Sequence, residues 1–304
     1  MEPVNPTQVL TEISAAVPLE CRARLIVIGS LAVRFHYFKN QDDMSVRTKD
    51  ADCLLSPRQH AVESGISITE RLIETGWNYI QEEGGRAPGD ASTPDDELPA
   101  VRLWPPNSAK WFIELLTDPD SSEQKAKQWV RINTKHGDFG LSSFRYLVLL
   151  SHDPATTDLG IRVARPEMMV LANMLSHPKI GPEAMSAGFA GRPEVKRSNK
   201  DLGRVLAIAY LATREDENTL LNWPDLWLVA LQKKFAEEAM TLVKQVGSGI
   251  RELLENDDDL EQAYFTCTNG LLSSVQISPE QFKLAGVRLL QDAIIPLEEI
   301  GAST

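Results

Sequence analysis

The chain of 304 residues is long enough for one large domain or two ordinary ones. Its hydrophobic fraction of 42% and charged fraction of 24% are ordinary for a soluble globular protein, and no apolar run reaches the roughly 20 residues of a membrane-spanning helix. A net charge of −12 excludes a protein that coats nucleic acid nonspecifically, because such proteins are usually basic. Three widely spaced cysteines and a polar N-terminus predict a reduced, cytoplasmic protein that does not bind membranes.

Helical and strand patterns alternate over the first 160 residues. The predicted helices cover residues 7–17, 31–38 and 58–75, and the predicted strands cover 25–28, 50–55, 100–104, 110–116, 128–133 and 144–150. The Gly-, Pro- and Ser-rich stretch 84–99 is a predicted loop, because its composition cannot bury a core.

After residue 160 the pattern becomes helical. A helix is predicted to begin at Pro166 and to run to residue 175, another covers 200–212, and three or four amphipathic helices follow. The expected fold class is α+β. Residues 1–160 would form a mixed sheet with flanking helices, and residues 161–304 would form a helical C-terminal domain.

The most informative stretch runs from residue 25 to residue 55. An apolar strand ends at Gly29-Ser30 directly before a helix, and Asp50 and Asp52 stand at the head of the next strand. Side chains alternate across a strand, so both carboxylates project from one face. Two adjacent like charges favour a divalent cation, and small residues at a helix N-terminus let phosphate oxygens approach. The pattern predicts a nucleoside triphosphate bound with magnesium, and an exposed pair at a strand edge is the alternative.

A third carboxylate is expected from a neighbouring strand. Glu114 is the best candidate, because it is the single charge in the apolar run 111–116, and a lone buried carboxylate is costly unless it is paired or bound to a cation. Asp118 and Asp120 lie past the strand end and are typical of solvated turns. The alternative for Glu114 is an ion pair with an arginine such as Arg102.

These residues together resemble the nucleotidyltransferase fold of the polymerase-beta superfamily. Arg47, Thr48, Asp50 and Asp52 resemble the R-x-T-x-D-x-D pattern of the abortive-infection nucleotidyltransferases, which are toxins of bacterial toxin–antitoxin pairs, although one residue fewer separates Arg from Thr. That group also carries a Pro-Glu helix start and a later Lys-Asp pair. Pro166-Glu167 and Lys200-Asp201 match these two landmarks.

The resemblance implies a magnesium-dependent transfer of a nucleoside monophosphate from a nucleoside triphosphate to an acceptor hydroxyl. Catalysis and metal binding would fall to Asp50, Asp52 and Glu114. The residues expected to contact the nucleotide are Gly29, Ser30, Arg47, Thr48, Lys200 and Asp201. The implied acceptor is tRNA or another RNA, the implied partner is a cognate antitoxin protein, and a small-molecule acceptor is the alternative.

Two departures from the group affect nucleotide binding. Asn173 stands where the group has a phosphate-binding lysine, and Gly203-Arg204 replaces a later aspartate. Asparagine does not offset triphosphate charge, so Lys200 or Lys179 would have to supply it. The alternative function is therefore a catalytically weak or inactive nucleotidyltransferase-like scaffold that binds a nucleotide or a partner.

The acidic excess lies in the C-terminal third. Residues 1–204 carry 24 Lys and Arg against 27 Asp and Glu, whereas residues 205–304 carry 7 against 16. A nucleic-acid partner is therefore expected on the N-terminal two thirds, where two basic clusters are candidates for phosphate contacts. A solvated surface is the alternative for both clusters. They are Lys125, Lys127, Arg131 and Lys135, and Arg192, Lys196, Arg197, Lys200 and Arg204.

Overall fold

The chain divides into two compact units. One unit contains residues 1–35 and 39–165, and the other contains residues 36–38 and 166–304. The computed structural model describes residues 4–38, 47–79, 86–108, 110–120, 127–177, 185–186 and 194–302. Within these ranges, no helix combines the length and the apolar character needed to cross a bilayer.

The described residues of the first unit form an eight-stranded mixed sheet. Its strands are β1 (Leu25–Val27), β2 (Asp50–Leu55), β3 (Arg102–Leu103), β4 (Phe112–Thr117), β5 (Lys127–Thr134), β6 (Gly137–Phe144), β7 (Ala155–Thr156) and β8 (Arg162–Val163). The spatial order is β5-β6-β4-β2-β1-β8-β7. β3 lies off this path and pairs with Ile113 and Glu114 of β4. β1 runs antiparallel to β2, whereas β2 and β4 are parallel.

Short amphipathic helices accompany the sheet. They are α1 (Pro6–Ala16), α2 (Leu19–Arg22), α3 (Gly29–Tyr37) and α4 (Ala61–Glu74). α1 begins with Asn5, whose side chain accepts the amide hydrogen of Gln8, and with Pro6 in its first turn, a combination that favours helix initiation. α4 buries Ala61, Gly65, Ile68 and Leu72 on one face, at the spacing of a helix that packs against a sheet.

The strand prediction for residues 144–150 is wrong. β6 covers Gly137–Phe144 and pairs along its whole length with β5, whereas Arg145–Ser151 form a 3₁₀ helix that buries Tyr146, Leu149 and Leu150. A short apolar run is compatible with either a strand or a buried helical turn. The polar, glycine-rich sequence of β6 gave no strand signal, because its pairing with β5 is decided by tertiary contacts.

Part of the predicted loop 84–99 is attached to the β5–β6 hairpin. Arg131 on β5 donates hydrogen bonds to Asp138 Oδ2 at 2.5 Å and to Asp95 Oδ1 at 2.8 Å. The backbone groups of Gly89 and Asp138 exchange hydrogen bonds of 2.8 and 2.9 Å. An arginine shared between the loop and the sheet, together with the buried Leu98, therefore attaches this segment to the hairpin.

The second unit is helical. Its elements are α5 (Pro166–Ser176), β9 (Met185–Ser186), β10 (Val195–Lys196), α6 (Arg197–Glu215), α7 (Trp223–Lys234), α8 (Ala239–Val243), α9 (Ser248–Glu255), α10 (Asp257–Thr268), α11 (Pro279–Leu289) and α12 (Ile295–Ala302). α6 contacts α5, α10 and α11 and is almost fully buried on one side. Six helices follow α6 in the described residues, where three or four were predicted. The predicted α+β class, a mixed sheet with flanking helices and a helical C-terminal part, is confirmed.

α6 and α10 approach each other closely at Gly203. A Cβ atom at this position would lie 2.9 Å from the carbonyl oxygen of Ala263 and 3.1 Å from Cys267 Sγ. Glycine at a place where the resemblance leads one to expect an acidic residue therefore has a packing explanation.

We expect Gly203→Ala to lower the free energy of unfolding by about 1–3 kcal/mol, because overpacking against a backbone carbonyl outweighs the gain of about 1 kcal/mol in helix propensity. Gly286→Ala in α11 is the matched control. The three nearest neighbours of its new Cβ are side-chain atoms and not backbone: Leu254 Cδ2 at 2.9 Å and Leu206 Cδ2 and Cγ at 3.2 Å. Urea denaturation of both variants measures the difference, and equal losses would contradict the close approach.

Candidate active site

One row of residues crosses three adjacent strands of the first unit. Arg102 on β3 lies opposite Glu114 on β4, and Glu114 lies opposite Asp52 on β2. Residues that oppose each other in neighbouring strands project to the same face. Next to Asp52, the amide of Ile28 donates to its carbonyl oxygen at 2.9 Å, and a Cβ on Gly29 would lie 3.1 Å from its Oδ2. The sheet thus brings the predicted Asp52, Glu114 and Gly29 together.

Asp50 lies two residues before Asp52 and opposite Phe112 of β4. It is exposed and Asp52 is half-buried, whereas Ala51 between them is fully buried, in agreement with the predicted alternation. Thr48 is buried and donates its hydroxyl to Asp50 Oδ1 at 2.5 Å. Thr48 therefore fixes the orientation of the Asp50 carboxylate.

Gly29 forms the turn between β1 and α3. Its φ of +69° lies in the left-handed region, which residues with a Cβ enter only at a cost. The first amide groups of a helix have no partner within the helix, so the Gly29-Ser30 turn can offer backbone donors to an anion. Gly29 and Ser30 are half-buried, and Gly29 lies beside the Asp52 carboxylate.

Glu114 is held by an arginine. Arg102 Nε donates to Glu114 Oε2 at 2.9 Å, and the side chains of Arg102 and Glu114 are 40% and 13% exposed. The guanidinium group also lies 5.7 Å from the centre of the Phe112 ring. Sequence reasoning identified this ion pair only as the alternative for Glu114. The signal available for it was a single arginine two residues into the preceding predicted strand.

Two polar side chains near the site in the sequence are fully buried, Cys53 on β2 and Arg34 on α3. Burial, followed by the charge of Asp52, raises the pKa of the Cys53 thiol well above its ordinary value. On α3, Arg34 is only 1% exposed, and burial lowers its pKa to about 10, so the side chain stays charged at neutral pH. A buried arginine on the helix that begins at Gly29 was not predicted, because an isolated Arg within an amphipathic pattern gives no sequence signal of burial.

The carboxylates of Asp50 and Asp52 are the hard oxygen donors that magnesium prefers, so these two residues fit such an ion. Glu114 already shares one oxygen with Arg102. Across the described ranges, no three or more His, Cys, Asp and Glu side chains lie close enough together to enclose a metal ion. The expected three-carboxylate set stays a prediction.

The remaining predicted residues either precede β2 or belong to the second unit. Arg47 is exposed directly before Thr48. Lys200 and Asp201 belong to α6 of the second unit, where Asp201 Oδ2 lies 3.8 Å from Arg197 Nε. Asn173 is half-buried on α5, and Lys179 lies outside the described residues. The nucleotide contacts expected of Arg47, Lys200 and Asp201 stay predictions.

Several members of the two basic clusters are paired with acidic groups. The described ion pairs are Arg131–Asp138, Lys135–Glu74, Lys196–Asp259 and Arg197–Asp201. Lys125 and Arg192 lie outside the described residues, as does the side chain of Lys127. Paired cations contribute less to phosphate binding than solvated ones, so the clusters are weaker candidates than the sequence indicates.

Neither a family model nor a curated protein matches the sequence. Among solved structures, the chain matches the crystal structure of an antigenic nucleotidyltransferase-like protein from Paracoccidioides brasiliensis. The identity is 12% and the TM-score is 0.38, over 86% of this chain and 94% of that chain. A similarity at this level decides neither the fold nor the function. The case for a function therefore depends on the residues of the site.

Gly29→Ala should destabilise the protein more than Gly160→Ala does. Both glycines have positive φ, +69° and +74°, so each substitution costs about 1–2 kcal/mol in backbone strain. A Cβ at Gly160 meets nothing within 4 Å, whereas one at Gly29 crowds the Asp52 carboxylate. Urea denaturation measures both losses, and the close approach is contradicted when the two variants lose the same free energy.

Proposed function

We propose that the protein is a magnesium-dependent nucleotidyltransferase, which moves a nucleoside monophosphate from a nucleoside triphosphate to an acceptor hydroxyl. The observation that supports this most directly is the projection of Asp50 and Asp52 from one strand face, against the left-handed turn at Gly29. A pair of carboxylates beside a helix N-terminus can hold a cation and triphosphate oxygens at the same place.

In this proposal each residue of the face has a separate task. Asp50 and Asp52 hold the ion, and the hydrogen bond from Thr48 keeps Asp50 oriented toward it. The backbone amides of the Gly29-Ser30 turn and the hydroxyl of Ser30 bind the phosphates. Magnesium, when bound, neutralises phosphate charge and aligns the attacking and leaving oxygens.

The transfer itself makes one bond and breaks one. The acceptor oxygen forms a bond to the α-phosphorus, and the bond from that phosphorus to the bridging oxygen of the β-phosphate breaks, which releases pyrophosphate. The proton of the acceptor hydroxyl passes to a carboxylate of the same face, for which Glu114 is the predicted residue. Positioning and charge neutralisation supply most of the rate in such reactions.

The acceptor and the biological role are the finer part of the proposal. From the resemblance of Arg47 to Asp52 and of Lys200-Asp201 to the abortive-infection group, we infer tRNA or another RNA as the acceptor. The same resemblance supports a toxin or phage-defence role with an antitoxin partner. A small-molecule hydroxyl is the competing acceptor within the same chemistry.

A binding scaffold without turnover is the second candidate. Two observations favour it: the hold of Arg102 on Glu114, and the neutral Asn173 at a position where the resemblance leads one to expect a lysine. The first neutralises the negative charge of Glu114, and the second leaves out a positive charge for the phosphates. Neither removes Asp50 or Asp52.

A thermal melt with each of ATP, CTP, GTP and UTP tests the site itself. We expect one triphosphate to raise the melting temperature only with magnesium, because ligand binding to the folded state adds about 2.7 kcal/mol at a hundred times Kd. Asp52→Asn should abolish the shift. Asp153→Asn is the control, since it removes one exposed aspartate of the same unit, at a positive φ that asparagine tolerates.

Transfer of label from the α-phosphate of that nucleotide to total tRNA or to other RNA then separates enzyme from scaffold. Asp50→Asn and Asp52→Asn should each lower the transfer by at least about a hundredfold, because each removes a metal ligand. A magnesium-dependent shift without transfer to any acceptor would favour the scaffold. No shift with any of the four triphosphates would contradict the enzyme and a scaffold that binds a nucleotide.

A further inference from the structure

Glu114 has a cation partner built into the sheet. Arg102 is the first residue of the two-residue strand β3 and lies directly opposite Glu114 in an antiparallel pair. Its Nε is 2.9 Å from Glu114 Oε2. The guanidinium lies over the ring of Phe112, and that ring contacts Trp104 with 4.6 Å between the ring centres. Strand pairing, charge and an aromatic ring thus hold Arg102 in place.

Three carboxylates and one arginine lie on this face. Asp50, Asp52 and Glu114 supply three negative charges, and Arg102 supplies one positive charge. Because Glu114 lies opposite Asp52, loss of Arg102 would leave it as a third carboxylate beside the same ion.

We propose that Arg102 is a positioning residue that keeps Glu114 out of the metal shell, so that a divalent ion is held through Asp50 and Asp52. This inference rests on the proposed function, since it concerns the metal site of that reaction. It assigns to Arg102 the control of how many carboxylates the ion meets, and therefore of how tightly the ion is held.

Mn²⁺ is the probe, and its affinity for the full chain is measured by the loss of the free-ion electron paramagnetic resonance signal, with Mg²⁺ as competitor. Arg102→Gln keeps most of the side-chain volume and removes the charge. We expect it to bind Mn²⁺ more tightly, on the order of tenfold, because Glu114 then adds a charged ligand.

The decisive variant is the charge-matched double substitution Arg102→Gln with Glu114→Gln. It replaces an ion pair by two neutral amides, so the net charge of the face does not change. We expect its Mn²⁺ affinity to stay within about twofold of the wild type, because no ligand and no net charge is lost. If Glu114 is instead a ligand in the wild type, the double variant loses about tenfold, and the inference is overturned.

Arg165→Gln is the matched control for loss of an arginine. Arg165 is 41% exposed, compared with 40% for Arg102, and pairs with Asp153 in the same unit. It should leave Mn²⁺ affinity unchanged. Circular dichroism melts establish that every variant is folded. An Arg102→Gln variant that binds Mn²⁺ no more tightly than the wild type also overturns the inference.

Asp52→Asn separates this inference from the proposed function. If Asp52→Asn abolishes Mn²⁺ binding while the double variant loses affinity, the metal site stands and the role of Arg102 falls. If Asp52→Asn binds Mn²⁺ as the wild type does, the metal site of the proposed function falls as well. Absence of binding by both the wild type and Arg102→Gln overturns the two together.

Discussion

Like charges on one face of a sheet need compensation, and this constraint governs the candidate site. Asp50, Asp52 and Glu114 project from two adjacent strands whose other residues are almost entirely buried. Burial makes uncompensated charge expensive, so each carboxylate must meet a donor, a cation or solvent. Glu114 meets Arg102, and Asp50 meets the hydroxyl of Thr48 while staying exposed. In the proposed function, magnesium binds Asp50 and Asp52.

The strand directions explain why these residues meet. β1 is antiparallel to β2 with Val27 opposite Cys53, so the chain that leaves β1 passes Asp52 and turns at Gly29. β2 is parallel to β4, with Asp52 opposite Glu114. The turn, the aspartates and the glutamate therefore lie near one end of β2 and β4, because of strand direction and register. Substitutions that shift the register by one residue would send both carboxylates to the opposite face.

Local sequence patterns predicted the strands and the carboxylates of this site. The apolar run before Gly29 and the alternation after Asp50 each identify a strand, and Glu114 stands out because its neighbours are apolar. The pairing of Arg102 depends on how β3 lies against β4, which no local pattern contains. The same limit explains the error at residues 144–150, where an apolar run forms a helical turn while the polar residues before it pair with β5.

The charge of the site also determines how strongly the proposed nucleotide would depend on magnesium. In the proposed function, a triphosphate brings more negative charge than one ion at Asp50 and Asp52 offsets. In the first unit, the amides at the start of α3 supply partial positive charge, equivalent to roughly half an elementary charge for a whole helix. Nucleotide binding at this face would then depend steeply on magnesium, because the carboxylates repel the phosphates when no ion is present. If the two proposals hold, Arg102 would reduce that repulsion through its ion pair with Glu114, and would therefore favour nucleotide binding as well as limit the metal shell.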